Sequence, residues 1–201
     1  MKLYIDFDGT LFDTDRQLTN IIKVCNDYGI TEERFREVCK EALGEKNLFD
    51  IEKVINCLVS KYNISDEIHN DIDKVFYESY VYSDVIESLK DLIKRKHELY
   101  IFTYGDLKYQ KRKIAASKLE SYFKKVIITQ DDKSKIILDK INSVFIDNNP
   151  NVVDKLYEAG YKVIRIKRDT DKYSKINTNI SEVRECKDFE QVVDFMKGNV
   201  K

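Results

Sequence analysis

Leu3-Tyr4-Ile5-Asp6-Phe7-Asp8-Gly9-Thr10 is the stretch whose reading decides the fold. Leu3, Tyr4 and Ile5 make an apolar run of strand type. It ends in two carboxylates one residue apart, and Gly9 then lets the backbone turn sharply. In an open parallel sheet, ligands bind just beyond the carboxyl ends of strands, which is where Asp6 and Asp8 fall. Side chains two apart on a strand share a face. Carboxylates that converge in this way repel unless a cation separates them or one is protonated. The pattern points to a Mg2+ site with one carboxylate left to attack a substrate. The plainer alternative is a strand ending in a solvated acidic turn.

Beyond this strand the texture changes. From about Asp15 to Tyr80 the chain shows helical spacing and no strand pattern. Leu18, Ile21, Ile22 and Cys25 mark a first helix stopped at Tyr28-Gly29. Thr31 caps a second through Phe35, Val38, Cys39 and Ala42, closed by Gly44. Ile51, Val54, Ile55, Leu58 and Val59 mark a third, and Ser65 caps a fourth through Ile68, Ile72, Val75 and Phe76. Residues 15–80 therefore read as a small all-helical cap domain inserted after the first strand, and residues 1–14 with 81–201 as the core.

From residue 83 onward helix and strand alternate. Val85, Ile86, Leu89, Leu92 and Ile93 give a helix, and Leu99–Phe102 a strand that ends at Thr103. A basic helix over about Lys108–Leu119 leads to a strand at Lys125–Thr129. Ser134–Ile141 reads as a short helix and Val144–Ile146 as a strand ending at Asp147. Pro150–Ala159 is a helix with proline near its start and Gly160 at its end. Val163–Ile166 is a strand, Arg168–Asn179 a polar loop and Phe189–Met196 a last helix. Such alternation predicts an α/β fold, a doubly wound Rossmann-like parallel sheet. Its strand ends bring Asp6, Asp8, Thr103 and Asp147 to one edge, with Lys133 in reach. Together these supply what phosphoryl chemistry requires: a nucleophile, a proton donor, and donors and cations for the equatorial oxygens.

Lysine and arginine total 35 against 36 aspartate and glutamate, a formal net charge of -1, which gives no sign of nucleic-acid binding. The four cysteines show no C-x-x-C spacing, so no metal cluster is expected. Cys25, Cys39 and Cys57 are expected as reduced core or boundary residues. No apolar run reaches the roughly 18–20 residues of a membrane span. The N-terminus enters a strand at once, leaving no room for a signal peptide, so a cytoplasmic location is expected.

The run DFDGTLFDT (6–14) resembles the first motif of the haloacid dehalogenase-like hydrolase superfamily, D-x-D-x-T/V-L. The order of Thr103, the lysine and Asp147 is similar to the family's later motifs, so the likeness covers about residues 1–15 and 81–165. It implies a Mg2+-dependent phosphatase with an α-helical lid, acting on a small phosphorylated substrate. It also implies Asp6 as nucleophile forming an aspartyl-phosphate, Asp8 as general acid then base, and Thr103 on the phosphoryl oxygens. A lysine would neutralise charge, and Asp147 would bind Mg2+ with Asp6 and the Asp8 backbone carbonyl. For the lysine, Lys133 places Ile136, Ile137 and Ile141 at i+3, i+4 and i+8, one helix face. Lys135, the alternative, places Leu138, Asp139 and Ser143 there.

The chain departs from the family pattern at Asp147-Asn148-Asn149-Pro150-Asn151, where no second carboxylate occurs before Asp154. Asn148 keeps an oxygen that can coordinate or orient a water, so weaker metal binding is expected, and Asn148→Asp is expected to tighten it. Haloacid dehalogenases of the superfamily lack the acid that stands here as Asp8. A non-catalytic binding module is the other reading, with the asparagines its only hint.

Overall fold

The computed structural model describes residues 1–43, 48–136 and 139–198. Six parallel strands form one sheet in the order β3-β2-β1-β4-β5-β6. They are β1 (Lys2–Ile5), β2 (Glu98–Tyr104), β3 (Lys125–Thr129), β4 (Ser143–Asp147), β5 (Lys162–Ile166) and β6 (Arg184–Cys186). β1 lies centrally, with Ile5 opposite Ile101 of β2 and Ile146 of β4. Alternate side chains go to opposite faces. Leu3, Ile5, Leu99, Ile101, Val144 and Ile146 enter one hydrophobic core, while Tyr4, Phe102 and Phe145 enter a second. α5 (Val85–Lys94) and α8 (Phe189–Gly198) cover the first face, and α7 (Pro150–Glu158) covers the second. Both faces are thus buried, as a parallel sheet requires.

Between β1 and α5 run α1 (Thr14–Asp27), α2 (Glu32–Ala42), α3 (Ile51–Tyr62) and α4 (Glu67–Val75). α1 packs on α2 and α4, and α2 on α3. Asp13 caps α1, Thr31 caps α2 and Asp50 caps α3, each by accepting backbone N–H groups. The entry and exit of this segment run side by side. The Asp13 N–H donates to the Tyr80 carbonyl at 2.7 Å and the Tyr82 N–H to the Leu11 carbonyl at 3.2 Å.

Several expectations need correction. Instead of a helix over 134–141, the chain makes a 3-10 turn at Lys133–Lys135, capped by Asp132, and Ile136 is extended. Ile137 lies outside the described residues, and Ile141 is 82% exposed. On α5, Val85, Leu89 and Leu92 form the buried stripe, while Ile86 and Ile93 lie at its border and are exposed. β6 carries no apolar alternation, since only Cys186 of its three residues is buried. Cys57 is exposed on α3 rather than at a core boundary. Gly44 lies outside the described residues. No described helix is long and apolar enough to cross a membrane.

Candidate active site

The strand ends converge on a cavity of about 230 Å³ lined by Asp6, Asp8, Thr103, Lys133, Asp147 and Asn148, together with Asp171. Asp6 follows β1, and its N–H donates to the Ile146 carbonyl at 2.8 Å, which sets it beside the end of β4. Asp147 ends β4, and its Oδ1 accepts the Asn149 N–H at 2.9 Å. Asn149 in turn caps α7. The Lys133 ammonium donates to Asp6 Oδ1 at 2.5 Å and to Asp147 Oδ2 at 2.7 Å. Its side chain is only 5% exposed. Lys135 is exposed and takes no part. Thr103 is buried in β2 and lines the same cavity. His69 and His97 do not line it.

Asp8 is held differently. Its carboxylate accepts from Thr14 Oγ1 at 2.5 Å, Gln110 Nε2 at 2.6 Å and the Lys113 ammonium. Gln110 and Lys113 come from α6 (Leu107–Ser117). The Lys113 side chain is 1% exposed, its ammonium 4.7 Å from the Tyr109 ring centroid and near the rings of Phe7 and Phe12. Asp6 and Asp8 therefore each contact a buried lysine, Asp6 sharing Lys133 with Asp147 and Asp8 meeting Lys113. Local spacing could not reveal Lys113, whose partner lies 105 residues away. On a helix rich in lysines it reads as one more solvated charge.

The two acids are tuned in opposite directions. Burial pushes the Asp6 carboxyl up to about 7, assisted by the Asp147 and Asp8 charges, against the pull of Lys133. One ammonium shared between two carboxylates does not offset their desolvation. Burial also acts to raise Asp8, but the Lys113 charge and the hydrogen bonds from Gln110, Lys113 and Thr14 outweigh it and hold that carboxyl below its ordinary value. Burial opposes the charge on Lys133, yet Asp147 and Asp6 raise its pKa well above the usual lysine range.

Among the described residues no three His, Cys, Asp or Glu side chains form a metal-holding group. Mg2+ needs fewer, since it keeps several waters and takes one or two carboxylates. Asp6 Oδ2 accepts no donor among the described residues, and Asp147 sits across the shared lysine. The site also has one carboxylate in excess of its lysine. These features fit a hard cation. The Asp8 side chain, tied to α6, would leave only its backbone carbonyl for that purpose. Asp154, the next acid after Asp147, is committed elsewhere, accepting from Asn179 N and Nδ2 at 3.0 and 2.8 Å.

A family model described as haloacid dehalogenase-like hydrolase matches residues 4–149, and the chain belongs to that family. Solved structures share its fold across nearly the whole length. The HAD phosphatase of Thermococcus onnurineus is 19% identical with a TM-score of 0.69, covering 98% of this chain and 99% of that one. The L-2-haloacid dehalogenase of Xanthobacter autotrophicus is 14% identical with a TM-score of 0.67, covering 99% of each chain. The HAD-hydrolase YfnB of Bacillus subtilis, bound to magnesium, is 14% identical with a TM-score of 0.62, covering 97% of each. No curated protein matches the sequence.

Proposed function

We propose that the protein is a Mg2+-dependent phosphomonoester hydrolase acting in the cytoplasm on a small phosphorylated metabolite. One observation carries this reading: the buried Lys133 ammonium bridges Asp6 and Asp147 on the wall of a cavity that Asp8 and Thr103 also line. Asp6 attacks phosphorus, the bond from phosphorus to the leaving oxygen breaks, and the Asp8 carboxyl gives that oxygen its proton. Asp8, now a carboxylate, takes a proton from the water that attacks the aspartyl-phosphate, releasing inorganic phosphate and restoring Asp6. The Lys113, Gln110 and Thr14 contacts favour the ionised form that this second step uses. Thr103 and Lys133 hold phosphoryl oxygens. Bound Mg2+ would supply the positive charge that lets a phosphate dianion approach two carboxylates. Asp6, Asp147 and the Asp8 carbonyl would hold it, with Asn148 beside them. All four cysteines are unpaired, which suits a reducing compartment. Asp8 is the feature that favours phosphatase over dehalogenase.

The test is hydrolysis of an aryl phosphate with and without Mg2+. Activity should require the metal and vanish in Asp6→Asn, because an amide is no substitute for the carboxylate nucleophile. Asp8→Asn should lose about 10²–10⁴-fold while still forming some phospho-enzyme with a good leaving group. Full activity in a folded Asp6→Asn protein would refute the assignment.

A further inference from the structure

Asn148 stands beside the cavity where the family pattern has an acid, and its surroundings show what replaces that acid. Its side chain is 4% exposed, and its Nδ2 donates to Asp171 Oδ2 at 2.7 Å. Asp171, 5% exposed, comes from the loop between β5 and β6 and lines the same cavity. An amide beside an ionised carboxylate must turn its nitrogen toward it. Asn148 Oδ1 is thereby turned away from Asp171, and it accepts no hydrogen bond among the described residues. Asn148 lines the cavity, so this oxygen is the part of the amide left for a ligand there.

The surroundings are built to hold this pair. Gly9 of the first motif leaves the space it needs, since a Cβ there would collide with the Asn148 amide and come within 3.3 Å of Asp171 Oδ1. The loop carrying Asp171 is pinned by two buried guanidiniums. Arg165 donates to the Tyr173 and Ile176 carbonyls at 2.9 and 2.5 Å. Arg168 donates to the Thr10 carbonyl at 2.9 Å and to Asp84.

We infer that Asp171 is a positioning residue of the Mg2+ site: it turns the Asn148 side-chain oxygen toward the metal and supplies, from another segment, the negative charge that the run after Asp147 lacks. This rests on the Mg2+ reading proposed above. A carboxylate accepting from the amide N–H makes the amide oxygen more basic, as outer partners do for other metal ligands. It also alters the expectation for Asn148→Asp. That substitution alone would set two carboxylates at the present 2.7 Å separation, and so weaken the site unless Asp171 is changed with it.

The test is calorimetric titration of Mg2+ into wild type, Asp171→Asn, Asn148→Asp and the swapped double variant Asn148→Asp/Asp171→Asn, with metal-free melting recorded for each. Asp171→Asn should bind Mg2+ about 10-fold or more weakly, the size typical of outer partners. The double variant should recover affinity to within about threefold. The Mg2+ concentration for half-maximal activity should move in parallel, with little change in kcat at saturating metal. A merely structural role would lower melting without moving the Mg2+ affinity. Wild-type affinity in Asp171→Asn, or no recovery in the double variant, overturns the assignment. Should Asp171→Asn not fold, Asn148→Ala removes the oxygen and leaves Asp171 in place, and unchanged affinity there overturns it equally. Wild-type protein that binds no Mg2+ would instead defeat the metal reading beneath it.

Discussion

At Asp6, burial and the proposed role act against each other. Its carboxyl is pushed up to about 7 from an ordinary 3.8, so the folded protein holds that proton more tightly than the unfolded chain does. The stability this confers is complete below about pH 4 and is lost as pH rises through about 7. Metal-free wild type should therefore melt lower at pH 8 than Asp6→Asn in the same chelating buffer, with a smaller gap at pH 5. Mg2+ should close the gap at pH 8 by stabilising wild type more than the variant. A metal-free Asp6→Asn protein that melts lower than wild type at pH 8 would show that Lys133 already satisfies Asp6. The approach of Asp6, Asp147 and Thr103 was legible because all three close short apolar runs, and parallel strands align such ends. Lys133 was legible only by accident of pattern. The helix that singled it out is absent, and the 3-10 turn delivers it instead.

Among the elements, α6 and the loop between β5 and β6 were the least legible. Both read as polar surface, yet each buries charged groups whose partners lie far away in sequence. Neither period-two nor period-3.6 patterning registers such pairs. Lys113→Met keeps the apolar stem of the side chain among its aromatic neighbours and removes the charge from Asp8. The carboxyl should then titrate higher, and the pH above which proton donation to the leaving group fails should rise with it. The pH profile of kcat for aryl phosphate hydrolysis measures this, and a profile identical to wild type would separate Lys113 from the chemistry. The loop invites a different substitution. Arg168 ties Thr10 of the first motif to Asp84, the residue preceding α5, and lies 3.7 Å from the Tyr82 ring centroid. Removing one partner of a buried pair is costly, about 3–5 kcal/mol. Arg168→Ala should lower stability by that order in denaturant melts, and Arg168→Lys should recover part of it.

On the scale of the whole molecule, the helical segment and the sheet edge enclose the site between them. Thr14 and Asp15 of α1 line the cavity that holds Asp6 and Asp8. A second cavity of about 330 Å³ shares Asp8 and Thr14 with it and is bordered by Leu18 and Phe49. Access under such a roof suits small esters, so a panel of phosphorylated metabolites should outrun any folded phosphoprotein in kcat/KM. Comparable turnover of a phosphoprotein would mean the segment does not close over the site. The helices α1–α4 were readable from spacing alone, whereas the way the segment's two connections lie side by side depends on backbone pairing across the sequence. The central place of β1 has a further consequence, in the time the chain takes to be made. The strand that carries Asp6 is made early, yet its two neighbours are Glu98–Ile101 and Ser143–Ile146. At about 5–20 residues per second, β1 spends on the order of ten seconds with both edges open before β2 emerges, and longer with the edge that β4 later covers still open. The helices α1–α5 can form meanwhile from local contacts. The sheet whose edge carries Asp6, Thr103 and Asp147 is then assembled last, around a strand that was made first.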